Sequence, residues 1–213
     1  MLNPGRTGGA LEVQNILREH GRVNTVVETQ SFIYASRAEA PDRARIYDIK
    51  RAVPVAALPA RNTAGALWAL WRLYPEFVAA ANVLETSFAN IGAIFHPAPL
   101  ILNASKVDNG VPFDYYHEGI TPSVAALMER IDAERLAVAS ALGVETPSAK
   151  EWLKVAYGAE GDSLYEAIQT NASYGGIKAP QTLQHRYIFE DVPTGLIPIA
   201  SFGRHLGVPT PFT

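Results

Sequence analysis

The 213-residue sequence contains no cysteine. That excludes disulfides, thiol nucleophiles and thiolate metal ligands together, and it suits a reducing compartment. Long apolar runs are missing too: proline interrupts the hydrophobic stretches well short of the ~20 residues a membrane helix needs. The opening MLNPGRTGG lacks the apolar core of a secretory signal. A net charge of −3 with no Lys/Arg cluster leaves no electrostatic footprint for nucleic acid or an anionic membrane. Neither H-x-x-x-H nor H-E-x-x-H occurs among the five histidines, so a zinc site has no support. There is no G-x-G-x-x-G, no P-loop and no internal repeat. The expectation is a cytoplasmic protein without a metal, a nucleic-acid partner or a membrane partner.

What is there describes a globular chain. A hydrophobic fraction of 48% against 18% charged residues is enough to build a core. The stretch PGRTGGALEVQNILREHG sets a glycine-rich turn before a helix pattern, with Leu11, Val13, Ile16 and Leu17 apolar and Gly21 as the stop. NTVVET, SFIYAS, ARIYDIK and VPVAAL read as short strands. NTAGALWALWRLYP reads as a helix capped at Asn62 or Thr63 and closed before Pro75.

From Phe77 onward the strand signal vanishes. Leu84, Phe88, Ile91 and Phe95 form one helical stripe. TPSVAALMERIDAERLAVASALG starts with a Thr-Pro cap, builds an apolar face from Val124, Leu127, Met128 and Ile131, and stops at Gly143. TPSAKEWLKVAYG repeats that grammar, with Ser148 and Glu151 spaced as a capping box. DSLYEAIQTN and VPTGLIPIASFGRHLG add two more helices. The chain is therefore expected to be α/β over residues 1–76 and all-α over 77–213, a cofactor domain feeding a substrate domain.

Three places carry candidate chemistry. PGRTGG, with Gly5, Gly8 and Gly9, is either a plain tight turn or a set of backbone N–H groups facing an anion. His96 sits among Ile, Ala and Phe with Pro97 behind it, which interrupts a regular helix. Gly92, Ala89 and Glu85 share its face and leave room for a ligand, yet by spacing alone a satisfied core histidine is the commoner explanation. In HRYIFEDVPTG, Asp191 is either a helix cap or an orienting carboxylate for His96. Arg186 is either a surface cation or a fork for a substrate carboxylate. The loop FDYYHEG, with Tyr116 and His117, either lines a cleft or covers a surface. His20 and His205 read as helix-end residues complementing a dipole.

NPGRTGGALE, ETQSFIYASRA, NVLETSFANIGAIFHPAPLILNA, FDYYHEGITPSV and RYIFEDVPTGLIP together resemble the octopine/nopaline (opine) dehydrogenase family. The resemblance covers nearly the whole chain and rests mainly on HPAPLILNA and RYIFEDVP. It implies a Rossmann-type cofactor domain and a helical domain like the C-terminal domain of 6-phosphogluconate dehydrogenase. The implied reaction is an NAD- or NADP-dependent reductive condensation of an amino acid with a 2-keto acid such as pyruvate. The family's catalytic histidine falls on His96 and its partner aspartate on Asp191. The carboxylate-binding arginine falls on Arg186, with Tyr116 and His117 on the substrate side and Gly5, Thr7 and Gly8 on the cofactor side. His96, Asp191 and Arg186 are expected to share one cleft.

The family pattern begins with a Rossmann strand and glycine fingerprint that this sequence does not contain. A fragment is therefore expected, lacking roughly two-thirds of the dinucleotide-binding fold and shortened at its C-terminal helical end. Two alternatives follow. One is a non-redox substrate-binding or dimerisation remnant; self-association as a homodimer is open to either form. The other is a hydroxy-acid or sugar-phosphate dehydrogenase of the same wider group.

Overall fold

A computed structural model describes residues 2–3 and 6–213, with side chains from Arg6 onward. The chain divides into two compact units, one ending at Asn90 and the other running from Ile91 to Thr213.

The first unit is built on a four-stranded sheet in the order β1-β2-β5-β6. β1 (Leu2–Asn3) runs parallel to β2 (Val26–Thr29), with α1 (Arg6–Glu19) as the crossover. β5 (Val53–Leu58) pairs antiparallel with β2 and parallel with β6 (Phe77–Ala79), with α2 (Thr63–Trp71) between β5 and β6. β3 (Tyr34–Ala40) and β4 (Arg43–Ile49) form a separate two-stranded ribbon. VPVAAL becomes β5 because Val53, Val55, Ala56 and Ala57 are buried on both of its faces. Val53 and Val55 pack with Ile33, Leu67 and Phe77 to make this unit's core.

Several expectations change here. β1 and β6 were not foreseen, since strands of two and three residues carry no periodicity and exist only through parallel pairing. Phe77–Ala79 and α3 (Val83–Phe88) join the first compact unit, which ends at Asn90. The Leu84–Phe95 stripe is not one helix either. α3 stops at Phe88, and α4 (Gly92–Phe95) begins in the second unit. Asn62 does not cap α2, because its amide donates to Thr25 Oγ1 at 2.7 Å.

The second unit is helical throughout: α4, α5 (Pro97–Leu102), α6 (Ala104–Asp108), α7 (Pro122–Ala141), α8 (Ala149–Tyr157), α9 (Leu164–Thr170), α10 (Arg186–Phe189) and α11 (Ile197–Leu206). Thr121 caps α7 with proline in its first turn, and the Ser148–Glu151 capping box closes in both directions. α7 is pinned by a buried charge that the sequence does not advertise. Arg135, fully buried, bonds Asp132 at 2.8 Å and the Pro147 carbonyl at 2.7 Å, while Asp132 accepts the Ala149 N–H at 2.7 Å. Every strong donor and acceptor in that cluster has a partner, which is the condition for tolerating such burial.

Candidate active site

His96 is the hinge residue between α4 and α5. Its N–H still reaches the Gly92 carbonyl at 3.0 Å, but Pro97 starts a new helix immediately after it. The Tyr115 hydroxyl donates to the His96 carbonyl at 2.6 Å and fixes the backbone there. Its imidazole retains 15% of its surface, so it is neither sealed in hydrocarbon nor free in solvent.

Asp191 arrives from the far end of the unit. It lies between α10 and a π turn, Val192–Leu196, and it is completely buried. Its backbone is helical and its side chain caps nothing, which removes the helix-cap reading. Instead its Oδ2 lies 2.7 Å from His96 Nδ1. The π turn reaches α4 because residue 195 is glycine: a Cβ there would stand 2.7 Å from the Ala93 Cβ. Single π turns recur at functional sites. This one seats the carboxylate beside the ring.

Aromatic side chains approach the ring from two further sides. The Tyr116 hydroxyl is 3.5 Å from His96 Nε2, at the edge of hydrogen-bond range. The Tyr187 ring stacks on the imidazole at 3.8 Å between centroids and 8° between planes. Tyr116 in turn stacks on Tyr174 at 4.0 Å. Burial, together with the neighbouring Tyr157 and Tyr187, pushes the Tyr174 hydroxyl well above the ordinary tyrosine range. Tyr174 is thus a neutral phenol at any working pH. Nothing in the sequence singles out Tyr187, because helical spacing cannot reveal a ring-face partner so distant in the chain.

The other predicted residues are placed less centrally. Arg186 opens α10 but is half-exposed, and its Nε meets Glu190 at 3.1 Å, one turn along. His117 Nε2 lies 3.2 Å from the Asn171 carbonyl and so packs against the end of α9. In the first unit, Arg6 (φ 59) and Gly8 (φ 91) form a left-handed turn ahead of the regular part of α1, with Thr7 extended between them. Nothing lies within 4 Å of a Cβ built on Gly8, so the turn is open on that side. Gly5 lies outside the described residues. The adjoining start of α1 is engaged by Glu28, whose carboxyl meets the Ala10 backbone N–H.

A cavity of about 590 Å³ in the first unit is lined by Thr25, Val27, Arg61, Asn62, Gly65 and Ala66, among others, and contains none of the predicted residues. Among the described residues, no three His, Cys, Asp or Glu side chains gather as a metal site would need. No helix among them is long and apolar enough to cross a membrane.

A ring nitrogen held by a buried carboxylate, with the opposite nitrogen facing a phenol, is an arrangement for moving protons. With Asp191 ionised, Nδ1 keeps its proton and Nε2 is left to give or take one.

Residues 79–213 match the family model for the NAD/NADP octopine/nopaline dehydrogenase alpha-helical domain. An opine dehydrogenase of Arthrobacter sp. (strain 1C) is 48% identical over 99% of this chain and 59% of its own length. A vitopine synthase of Allorhizobium ampelinum is 25% identical over 95% of this chain and 56% of its own. The chain thus spans less than two-thirds of these relatives. A structure of octopine dehydrogenase with NADH and agmatine superposes with a TM-score of 0.77 at 23% identity, covering 98% of this chain and 58% of that one. This likeness shows that the α/β unit followed by a helical unit is the fold of that enzyme. The chain belongs to the octopine/nopaline dehydrogenase family.

Proposed function

We propose that this chain serves the NAD(P)-dependent reductive condensation of an amino acid with a 2-keto acid. The observation that carries the reading is the 2.7 Å contact between His96 Nδ1 and the wholly buried Asp191. The amine nitrogen bonds to the keto carbon, the carbonyl oxygen leaves as water, and the resulting imine is reduced. Bound NAD(P)H supplies the hydride for that last step.

The protein's own residues handle binding and protons. His96 Nε2 delivers a proton to the departing oxygen, and Asp191 holds the ring's tautomer and stabilises the imidazolium. Arg186 grips a substrate carboxylate through its planar fork, exchanging Glu190 for the ligand. Tyr116 and His117 contribute to the substrate side. Thr7 and Gly8, with Gly5, are this chain's contribution to cofactor contact.

His96→Ala tests the assignment, with NADH oxidation followed in the presence of both an amino acid and a keto acid. Turnover is expected to disappear while NADH fluorescence titration is unaltered. Unchanged turnover overturns the assignment. Oxidation that needs no amine identifies a simpler keto-acid reductase.

A further inference from the structure

We propose that Tyr187 is a positioning residue for His96: its ring face fixes the plane of the imidazole and stabilises the protonated form. This rests on the reading of His96 as the proton donor, although its test needs no turnover. The two rings lie 3.8 Å apart and 8° from parallel. That overlap sets the imidazole over the electron-rich face of the phenol, where a cation is attracted and a neutral ring much less so.

Tyr187 is itself held rigidly. It is buried, and its backbone N–H donates to His185 Nδ1 at 3.3 Å. His185 also meets its ring edge-on at 85°, with centroids 4.5 Å apart. On another side the Tyr115 ring leans against it at 5.0 Å. A side chain clamped by its own helix cap and two neighbouring rings can define the orientation of whatever stacks on it.

The groups facing His96 divide by direction. Asp191 meets the ring in its plane at Nδ1, and the Tyr116 hydroxyl faces Nε2. Tyr115 binds the main-chain carbonyl, outside the ring. Tyr187 alone among these acts through the face. Changing the electron density of residue 187 therefore perturbs the imidazolium without moving Asp191 or Tyr116.

The test replaces Tyr187 with phenylalanine and then with 3,4-difluoro- and 3,4,5-trifluorophenylalanine in the full chain. These rings have similar shape and progressively weaker faces, so folding is preserved, and circular dichroism checks it. The His96 titration is read by ¹⁵N NMR, with its resonance assigned by loss in His96→Gln and His117 as the internal standard. Tyr187→Phe is expected to leave the His96 midpoint nearly in place. The trifluoro ring is expected to lower it by roughly 0.5 to 1.5 pH units, with His117 unmoved. A flat series overturns the proposal. A graded series alongside an active His96→Ala variant would sink the catalytic reading and leave the positioning role standing.

Discussion

Asp191 Oδ2 meets His96 Nδ1 at 2.7 Å across 95 positions of sequence, with the carboxylate fully withdrawn from solvent. Asp191→Asn keeps the shape and removes the charge, so it no longer enforces one tautomer or stabilises imidazolium. The expected loss is about 10²–10⁴-fold in kcat with little change in KM. Steady-state kinetics with amine and keto acid both saturating provide the check, and a kcat within a few-fold of the parent would refute the role.

Gly195 approaches Ala93 so closely that a methyl group has no room. Gly195→Ala is expected to lower stability by about 1–3 kcal/mol through overpacking, and to lower kcat by displacing the π turn next to Asp191. Pairing it with Ala93→Gly reopens the space and should restore most of the activity. Denaturant melts and rates on the two single variants and the double variant measure this coupling directly.

Glu28 provides a pH test in the other unit. Burial raises its carboxyl from 4.5 to about 7, only partly offset by hydrogen bonds from Thr86 and Ser87 to Oε1. Between those two pH values the folded chain holds a proton that the unfolded chain has released. Its contribution to stability therefore falls as pH rises from 4.5 to 7 and is level beyond. The span is on the order of 3 kcal/mol. Glu28→Gln, neutral throughout, should flatten that part of the curve of melting midpoint against pH. A wild-type curve already flat there would contradict the raised carboxyl.

Local grammar was the most legible part of this fold. The Thr121–Pro122 start of α7, the Ser148–Glu151 box and the bounds of β5 all follow from side chains within a few residues of each element. What depends on distant partners was hidden. β1 and β6 exist only by parallel pairing, and a continuous apolar stripe concealed the break between α3 and α4 because Phe88 and Phe95 are buried in different units. Arg135 reads as an ordinary surface residue of α7 until Asp132, Thr146 and Pro147 close around it. At the candidate site, spacing alone left His96 and Asp191 open to bland readings, and only the family resemblance joined them. Tyr187 was missed because ring stacking has no sequence period.

His96, Asp191, Tyr116 and Tyr187 all fall within the unit that runs from Ile91 to Thr213. Their mutual spacing is consequently written into one contiguous stretch of gene, a transplantable cassette. Splicing that stretch behind the nucleotide-binding half of a relative from the same family should carry the ring-and-carboxylate alignment along intact, so that, on the proposed reading, cofactor preference and proton chemistry become separately exchangeable traits.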